Sequence, residues 1–336
     1  MVANASTTPA QGRHWGLDLL KLLSIFLVCY GHILLFQMLE GGGMHNRVYQ
    51  LIYSFHMPLF MTLSGYFSSG ILDGRNNLGK RFRQLLVPAL VWGLICLLCG
   101  IHQLNFWFLW CLFVCSLVCT LLFRWLHPWM AVAAVAVGGF LLFPLLSAVP
   151  YVSSWKVDFM LPFFIVGMFM RKRVQPRWWM AAVAWMLFVG CLLGWQGEYL
   201  WYFSRPQWFN YKEMVLQGAA LTFDVHSLVC YLYRFLTGLS GSAALIFTFA
   251  LLGQREGPNW LRSVSTWGAY TLEIYILQSF LIEVNLFGIA IHGTALTAYL
   301  LSVAMALATV AISVGVAWLA EQNRWVGQIF FGKQPV

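Results

Sequence analysis

The sequence predicts an all-α fold, a polytopic bundle of about ten transmembrane helices with both termini cytoplasmic. Three observations predict it. Hydrophobic residues make up 60% of the 336 and charged residues only 9%, against about 25% charged in an ordinary soluble domain. The mean hydropathy is +0.74, and the apolar residues form continuous runs such as Leu22 to Leu39. The basic residues gather in alternate loops. A soluble core of this length could not hide so much apolar surface, and disorder needs low hydrophobicity. An outer-membrane barrel would show alternating segments of about ten residues, which these runs are not.

A bilayer-spanning helix needs about 20 mostly apolar residues. Scanning for them gives ten spans, at 15–38, 48–69, 84–100, 104–124, 129–148, 157–171, 178–196, 227–252, 266–288 and 296–319. The chain therefore reads as a single integral-membrane domain over 1–336. A short cytoplasmic tail covers 1–14, the bundle 15–320, and a second cytoplasmic tail 321–336. The first run is too long for a cleaved signal peptide and lacks a small-residue cleavage site, so it is expected to stay as a helix. The longest loop, about 197–226, carries Trp201, Tyr202, Trp208 and Tyr211. It reads either as a segment lying at the membrane interface or as a sugar-facing lid.

The net charge of +9 comes from 20 Lys and Arg against 11 Asp and Glu. In a soluble protein this would suggest nucleic acid; here no nucleic-acid partner is expected, because topology accounts for it. With the N-terminus inside, the inner loops carry fourteen basic residues and the outer loops only Arg47, Lys156, Arg205 and Lys212. That asymmetry obeys the positive-inside rule and needs an even number of helices. The eight cysteines all fall in apolar runs. Cys111, Cys115 and Cys119 line one helix face, but no His or carboxylate joins them, so they read as small packing residues and no metal is expected.

Charged groups inside a bilayer are costly and mark cavities. The first helix carries Asp18, Lys21 and His32. Asp18 and Lys21 are three apart and so share a face. His32 follows Lys21 by about three turns and ~16 Å of rise, which keeps all three on roughly one side. The second helix carries His56, then Pro58, which kinks a helix or frees carbonyls, then Ser64 and Tyr66. Arg234 on the eighth helix and Glu283 on the ninth sit in the same outer half, with Gln278 and Glu273 deeper along the ninth. Four polar elements at similar depth can converge on one cavity; the bland alternative is separate interhelical hydrogen bonds.

The chemistry such a cluster offers is acyl transfer. A histidine can take the proton of a sugar hydroxyl near neutral pH as it attacks an acyl carbonyl. Arg234 or His56 can stabilise the oxyanion, and Glu283 or Asp18 can orient or charge-balance them. At the cytoplasmic end Arg13, Lys21, Arg81 and Arg83 can hold a polyphosphate such as that of coenzyme A. For Arg81 and Arg83 ordinary positive-inside topology is the competing explanation. Cys29, three residues before His32, is a weak nucleophile candidate.

Six motifs in order then resemble one family. Arg13-His-Trp-Gly-Leu-Asp18-Leu-Leu-Lys21 leads to His32. Phe55-His56-Met57-Pro58-Leu59-Phe60 is followed by Ser64-Gly65-Tyr66. Arg81-Phe-Arg83-Gln-Leu-Leu-Val-Pro88 and Phe106-Trp107-Phe108-Leu109 come next. Leu161-Pro162-Phe163-Phe164 with Gly167 and Arg171, and Gly268-Ala-Tyr-Thr271-Leu-Glu273-Ile-Tyr275, complete the set. Together they resemble the integral-membrane acyltransferase-3 family, the O-acyltransferases that decorate bacterial polysaccharides. One departure is Gln278, where many relatives have His; Gln278 can still hydrogen-bond a substrate or acyl oxygen. No appended soluble esterase-like domain is expected.

The resemblance implies an acyl-CoA donor, usually acetyl-CoA, and a carbohydrate hydroxyl acceptor on a cell-surface or lipid-linked glycan. It implies a multi-pass protein of the bacterial inner membrane in contact with lipid, and no metal. His32 would be the catalytic base, and Asp18 would help shape the donor side; the polar cluster read above adds Asp18, His56, Glu283 and Arg234 as candidate catalytic partners. Arg13, Lys21, Arg81 and Arg83 would hold the donor, and Ser64, Tyr66, Trp107 and Gln278 would touch substrate. Succinyl-CoA is an alternative donor. An ion-coupled transporter or glycan exporter is the alternative of another class, although no internal repeat is evident. A structural subunit without chemistry is disfavoured by the charged stripe on the first helix.

Overall fold

The computed structural model describes residues 14–38, 42–43, 45–101, 106–148, 156–203, 208–293 and 296–333. Helix occurs within each of the ten expected spans, and no strand occurs among the described residues. The helices are α1 (Trp15–Phe36), α2 (Arg47–Phe67), α3 (Leu78–Leu98), α4 (Trp107–Trp125), α5 (Pro128–Ala148), α6 (Val157–Arg173) and α7 (Trp178–Leu193). After these come the short α8 (Tyr211–Gln217), then α9 (Val225–Leu252), α10 (Asn259–Ser265), α11 (Thr271–Gln278), α12 (Leu296–Glu321) and α13 (Arg324–Phe331). Five of them, α1, α3, α4, α9 and α12, are long and apolar enough to cross a membrane by length and composition. The chain is a polytopic all-α membrane protein.

Two elements differ from expectation. α3 begins at Leu78, so Arg81 and Arg83 lie on helix rather than in the loop before it, and residues Phe82–Leu86 form a π turn. The ninth span is not one helix. It runs through α10, a 3-10 turn at Thr266–Tyr270, α11 and a second π turn at Ser279–Glu283. In the 197–226 segment, Trp208 is fully buried; its Nε1 donates to Phe140 O at 2.8 Å and its ring meets Tyr231 at 4.9 Å. Its ring packs inside the bundle and is not an interface anchor.

α1 is the central helix, packed against α2, α9, α10, α11 and α12. Small residues bring the helices to backbone contact, as in other membrane bundles. A Cβ on Gly65 of α2 would lie 2.0 Å from Phe164 O of α6, and one on Gly167 of α6 would lie 2.0 Å from Thr62 O. A Cβ on Gly268 would lie 2.1 Å from Asp18 O, which fixes the 3-10 turn against α1. Cys111, Cys115 and Cys119 are fully buried along one face of α4, in keeping with a packing role. The outer faces carry exposed Leu97, Leu98, Trp129, Trp179, Leu193, Leu300 and Leu319. An apolar surface of that extent suits lipid and not water.

Candidate active site

His32, about one turn before the end of α1, lies on the wall of a cavity of about 310 Å³. The same cavity is lined by His56 of α2, Trp107 of α4, Lys156, Arg234 of α9 and Glu283 after α11, together with Tyr49, Tyr53 and Tyr275. Residues from six separate parts of the chain thus meet in one place.

His32 is held from one side. Its Nδ1 lies 2.9 Å from Gln278 Oε1 and 3.2 Å from Glu283 Oε1. A carboxylate oxygen and an amide carbonyl only accept, so Nδ1 carries a proton, and in the neutral tautomer the lone pair is on Nε2. Gln278 is itself fixed, since its Nε2 donates to Ser279 Oγ at 3.0 Å and Glu283 Oε1 at 3.2 Å. Ser279 Oγ donates to the same carboxylate oxygen at 2.9 Å. Gln278 and Glu283 are five residues apart, which in a regular α-helix is about 1.4 turns and points them in different directions. The π turn, closed by Val284 N donating to Ser279 O at 3.0 Å, places both on one face. π turns inside helices recur at functional sites.

Pro58 sits inside α2 and cannot donate to Ser54 O, so the helix there is locally opened. The adjacent carbonyl, Tyr53 O, accepts from Arg234 Nη2 at 2.8 Å. The guanidinium also lies over the Trp195 ring at 5.4 Å and the Phe159 ring at 5.8 Å. His56 is buried, its ring 4.4 Å from that of Tyr53, and its Nδ1 donates to Ile52 O at 2.9 Å. That bond leaves a neutral His56 with Nε2 as an acceptor, and the cationic side chains lining this cavity are Arg234 and Lys156.

Lys156 did not stand out in the sequence. It precedes α6 in a left-handed conformation with φ 53, and its Nζ lies 4.5 Å over the Trp107 ring. A left-handed non-glycine residue costs about 1–2 kcal/mol, and such residues collect at functional sites. Burial, and next the Arg234 charge, push the Lys156 ammonium down to about 8.

The expected donor-side residues form a second, separate group. Lys21 Nζ pairs with Asp18 Oδ1 at 2.9 Å and lies 3.9 Å over the Phe67 ring. Asp18 therefore serves Lys21 and does not line the His32 cavity. Arg81 Nη2 donates to Ser68 Oγ at 2.5 Å, and Tyr66 Oη accepts from Arg171 Nη1 at 3.1 Å. Arg83 is exposed, and Arg13 lies outside the described residues. Glu273 is paired with Lys333 Nζ at 2.5 Å and does not line the His32 cavity. Between the two groups lies an apolar cavity of about 140 Å³ lined by Ile25, Val28, Met57, Phe60, Ser64 and Tyr275, among others. Val28, Met57 and Tyr275 line both cavities, so the two adjoin.

A family model described as an acyltransferase domain, acyltransferase-3, matches residues 14–321. The chain belongs to the acyltransferase-3 family. The match includes every residue of both polar groups except Arg13 and Lys333. The chain is similar to nodulation protein NolL of Mesorhizobium japonicum, 28% identical over 226 residues, 56% of this chain and 58% of that protein. It is likewise similar to nodulation protein NolL of Sinorhizobium fredii, 29% identical over 200 residues, 50% of this chain and 51% of that protein. The chain thus matches a little over half the length of these curated relatives. No solved structure matches it.

Proposed function

We infer that this acyltransferase-3 member is an O-acyltransferase of the bacterial inner membrane. It moves an acetyl group from acetyl-CoA to a hydroxyl of a cell-surface or lipid-linked glycan. One observation carries the reading. His32, its Nδ1 held by Gln278 and Glu283, stands on the wall of a cavity that also holds Arg234 and Lys156.

His32 Nε2 takes the proton of the acceptor hydroxyl as its oxygen attacks the thioester carbonyl. Glu283 holds the proton-bearing Nδ1 in place and balances the imidazolium that forms, as the carboxylate does in a Ser-His-Asp triad. Arg234 and Lys156 stabilise the oxyanion of the tetrahedral intermediate in a site of low dielectric. Collapse of that intermediate breaks the carbon–sulfur bond, and the imidazolium returns its proton to the coenzyme A thiolate. His56 Nε2 accepts a hydrogen bond from the sugar, and Trp107 offers a face for it.

Lys21, supported by Asp18, takes the coenzyme A phosphates at the cytoplasmic end together with Arg81 and Arg83; Arg13, outside the described residues, is a further donor-side candidate from the sequence. The adjoining apolar cavity suits the pantetheine arm, which would carry the thioester up along Val28 to His32. Ser64, within that cavity, would touch the arm, while Tyr66 would act through Arg171 on the donor side. Fourteen inner basic residues against four outer ones support this orientation.

The test is transfer of labelled acetyl from acetyl-CoA to a glycan acceptor by the chain reconstituted in lipid. His32→Ala should lower the rate by about 10²–10⁴-fold. Unchanged transfer by that variant overturns the mechanism. Greater turnover with succinyl-CoA would reassign the donor.

A further inference from the structure

A second cluster of chemically active side chains lies outside the His32 cavity. Glu198, in the turn Gly197–Phe203, and His226 and Cys230, on the first turns of α9, bring a carboxylate oxygen, an imidazole nitrogen and a thiol sulfur within 4.8 Å of one another. We propose that these three residues bind a zinc-class divalent cation. His226 and Cys230 are four apart, so they share a helix face. Cys230 Sγ is 3.5 Å from His226 Nε2 and 4.0 Å from Nδ1. With zinc–sulfur and zinc–nitrogen bonds of about 2.3 and 2.05 Å, two ligands of a tetrahedron lie about 3.6 Å apart. The S···Nε2 spacing matches that edge.

The donor set also selects the metal. Thiolate and imidazole suit zinc and disfavour magnesium and calcium, which take oxygen ligands. Three protein ligands leave a fourth tetrahedral position for water or a substrate hydroxyl. Binding replaces the S–H bond of Cys230 with a sulfur–metal bond and releases the proton to solvent. A plain thiol–imidazole contact explains the pair on α9 but not why a carboxylate from a different segment converges on it.

The site has a place in the larger architecture. Arg234 is one turn beyond Cys230 on the same helix, and Trp195, three residues before Glu198, lies over the Arg234 guanidinium. Tyr199 meets Tyr233 of α9 at 4.8 Å. The cation would therefore fasten the 195–203 segment to α9 directly beside the arginine that lines the His32 cavity. It acts on Trp195 and Arg234 as a positioning element.

The test is metal binding by the full chain purified in detergent without chelator. Wild type should retain about one equivalent of Zn²⁺ after dialysis and give a thiolate-to-Co²⁺ charge-transfer band when loaded with Co²⁺ instead. Cys230→Ser should abolish the band, His226→Ala should lose the metal, and Glu198→Gln should weaken affinity about tenfold or more. Each variant is compared at an unchanged melting temperature in the metal-free state, so that misfolding is separated from ligand loss. No saturable binding by folded wild type overturns the proposal. So does a band that persists in Cys230→Ser, which would mean that other cysteines hold the metal.

Discussion

Gln278 and Glu283 reach the same atom, His32 Nδ1, at 2.9 and 3.2 Å, although five residues separate them. Their convergence depends on the π turn Ser279–Glu283, which adds a residue to the helical turn and so swings Glu283 onto the face of Gln278. The pair decides which ring nitrogen of His32 carries the proton, and therefore which one can act as a base.

Glu283→Gln keeps the shape of the site and removes the negative charge opposite His32. The turnover number should fall by about 10²-fold with little change in the Michaelis constant for acyl-CoA, because the charge matters when the imidazolium forms. Steady-state kinetics in lipid nanodiscs checks it. An equal fall in affinity for the donor would instead place Glu283 on the binding side.

Lys156 gives a pH dependence. With its ammonium pushed down to about 8 by burial, the charge is present below that value and lost above it. Transfer should therefore decline as pH rises through about 8. Lys156→Arg, charged at all accessible pH, should extend the plateau upward. The folding linkage has the opposite sign, since the cost of burying the charge is full below about 8 and fades as pH climbs towards the ordinary lysine value. A pH–rate profile of both forms checks the first part, and thermal melts between pH 7 and 10 the second.

Asp18 and Lys21 should separate binding from chemistry. Lys21→Ala should raise the Michaelis constant for acyl-CoA about tenfold and leave the turnover number within about twofold. Asp18→Asn should act in the same direction more weakly, because it removes the group that steadies Lys21 at 2.9 Å. A loss confined to the turnover number in Lys21→Ala would move this pair out of the donor site.

Gly65→Val should destabilise the bundle by about 1–3 kcal/mol or abolish folding, because its Cβ would meet backbone and not a movable side chain. Gly138→Ala on α5, which has open space around it, is the control. Melting temperature in detergent distinguishes them.

Most of the polar cluster was legible in the sequence. Asp18, Lys21, His32, His56, Arg234 and Glu283 stood out because a charge in an apolar run is expensive and therefore conspicuous. Lys156 reads in the sequence only as a loop charge, and Tyr49 and Tyr53 carry no signal there, since nothing in one dimension distinguishes an aromatic facing lipid from one facing a cavity. Asp18 and Glu283 were interchangeable as partners of the histidine until the fold paired the first with Lys21 and the second with His32. The cysteine spacing draws attention to α4, whereas the cysteine that meets a histidine and a carboxylate is Cys230.

The sequence by itself determined the class of solvent and the helical segments, because hydropathy and loop charge act locally and each span carries its own signal. Its ordered motifs already pointed to the acyltransferase-3 family. Only the tertiary structure decided which polar groups share a cavity and which nitrogen of His32 is held. Those outcomes depend on helix rotation, on backbone contact through Gly65 and Gly167, and on a π turn whose hydrogen-bond register no residue pattern announces.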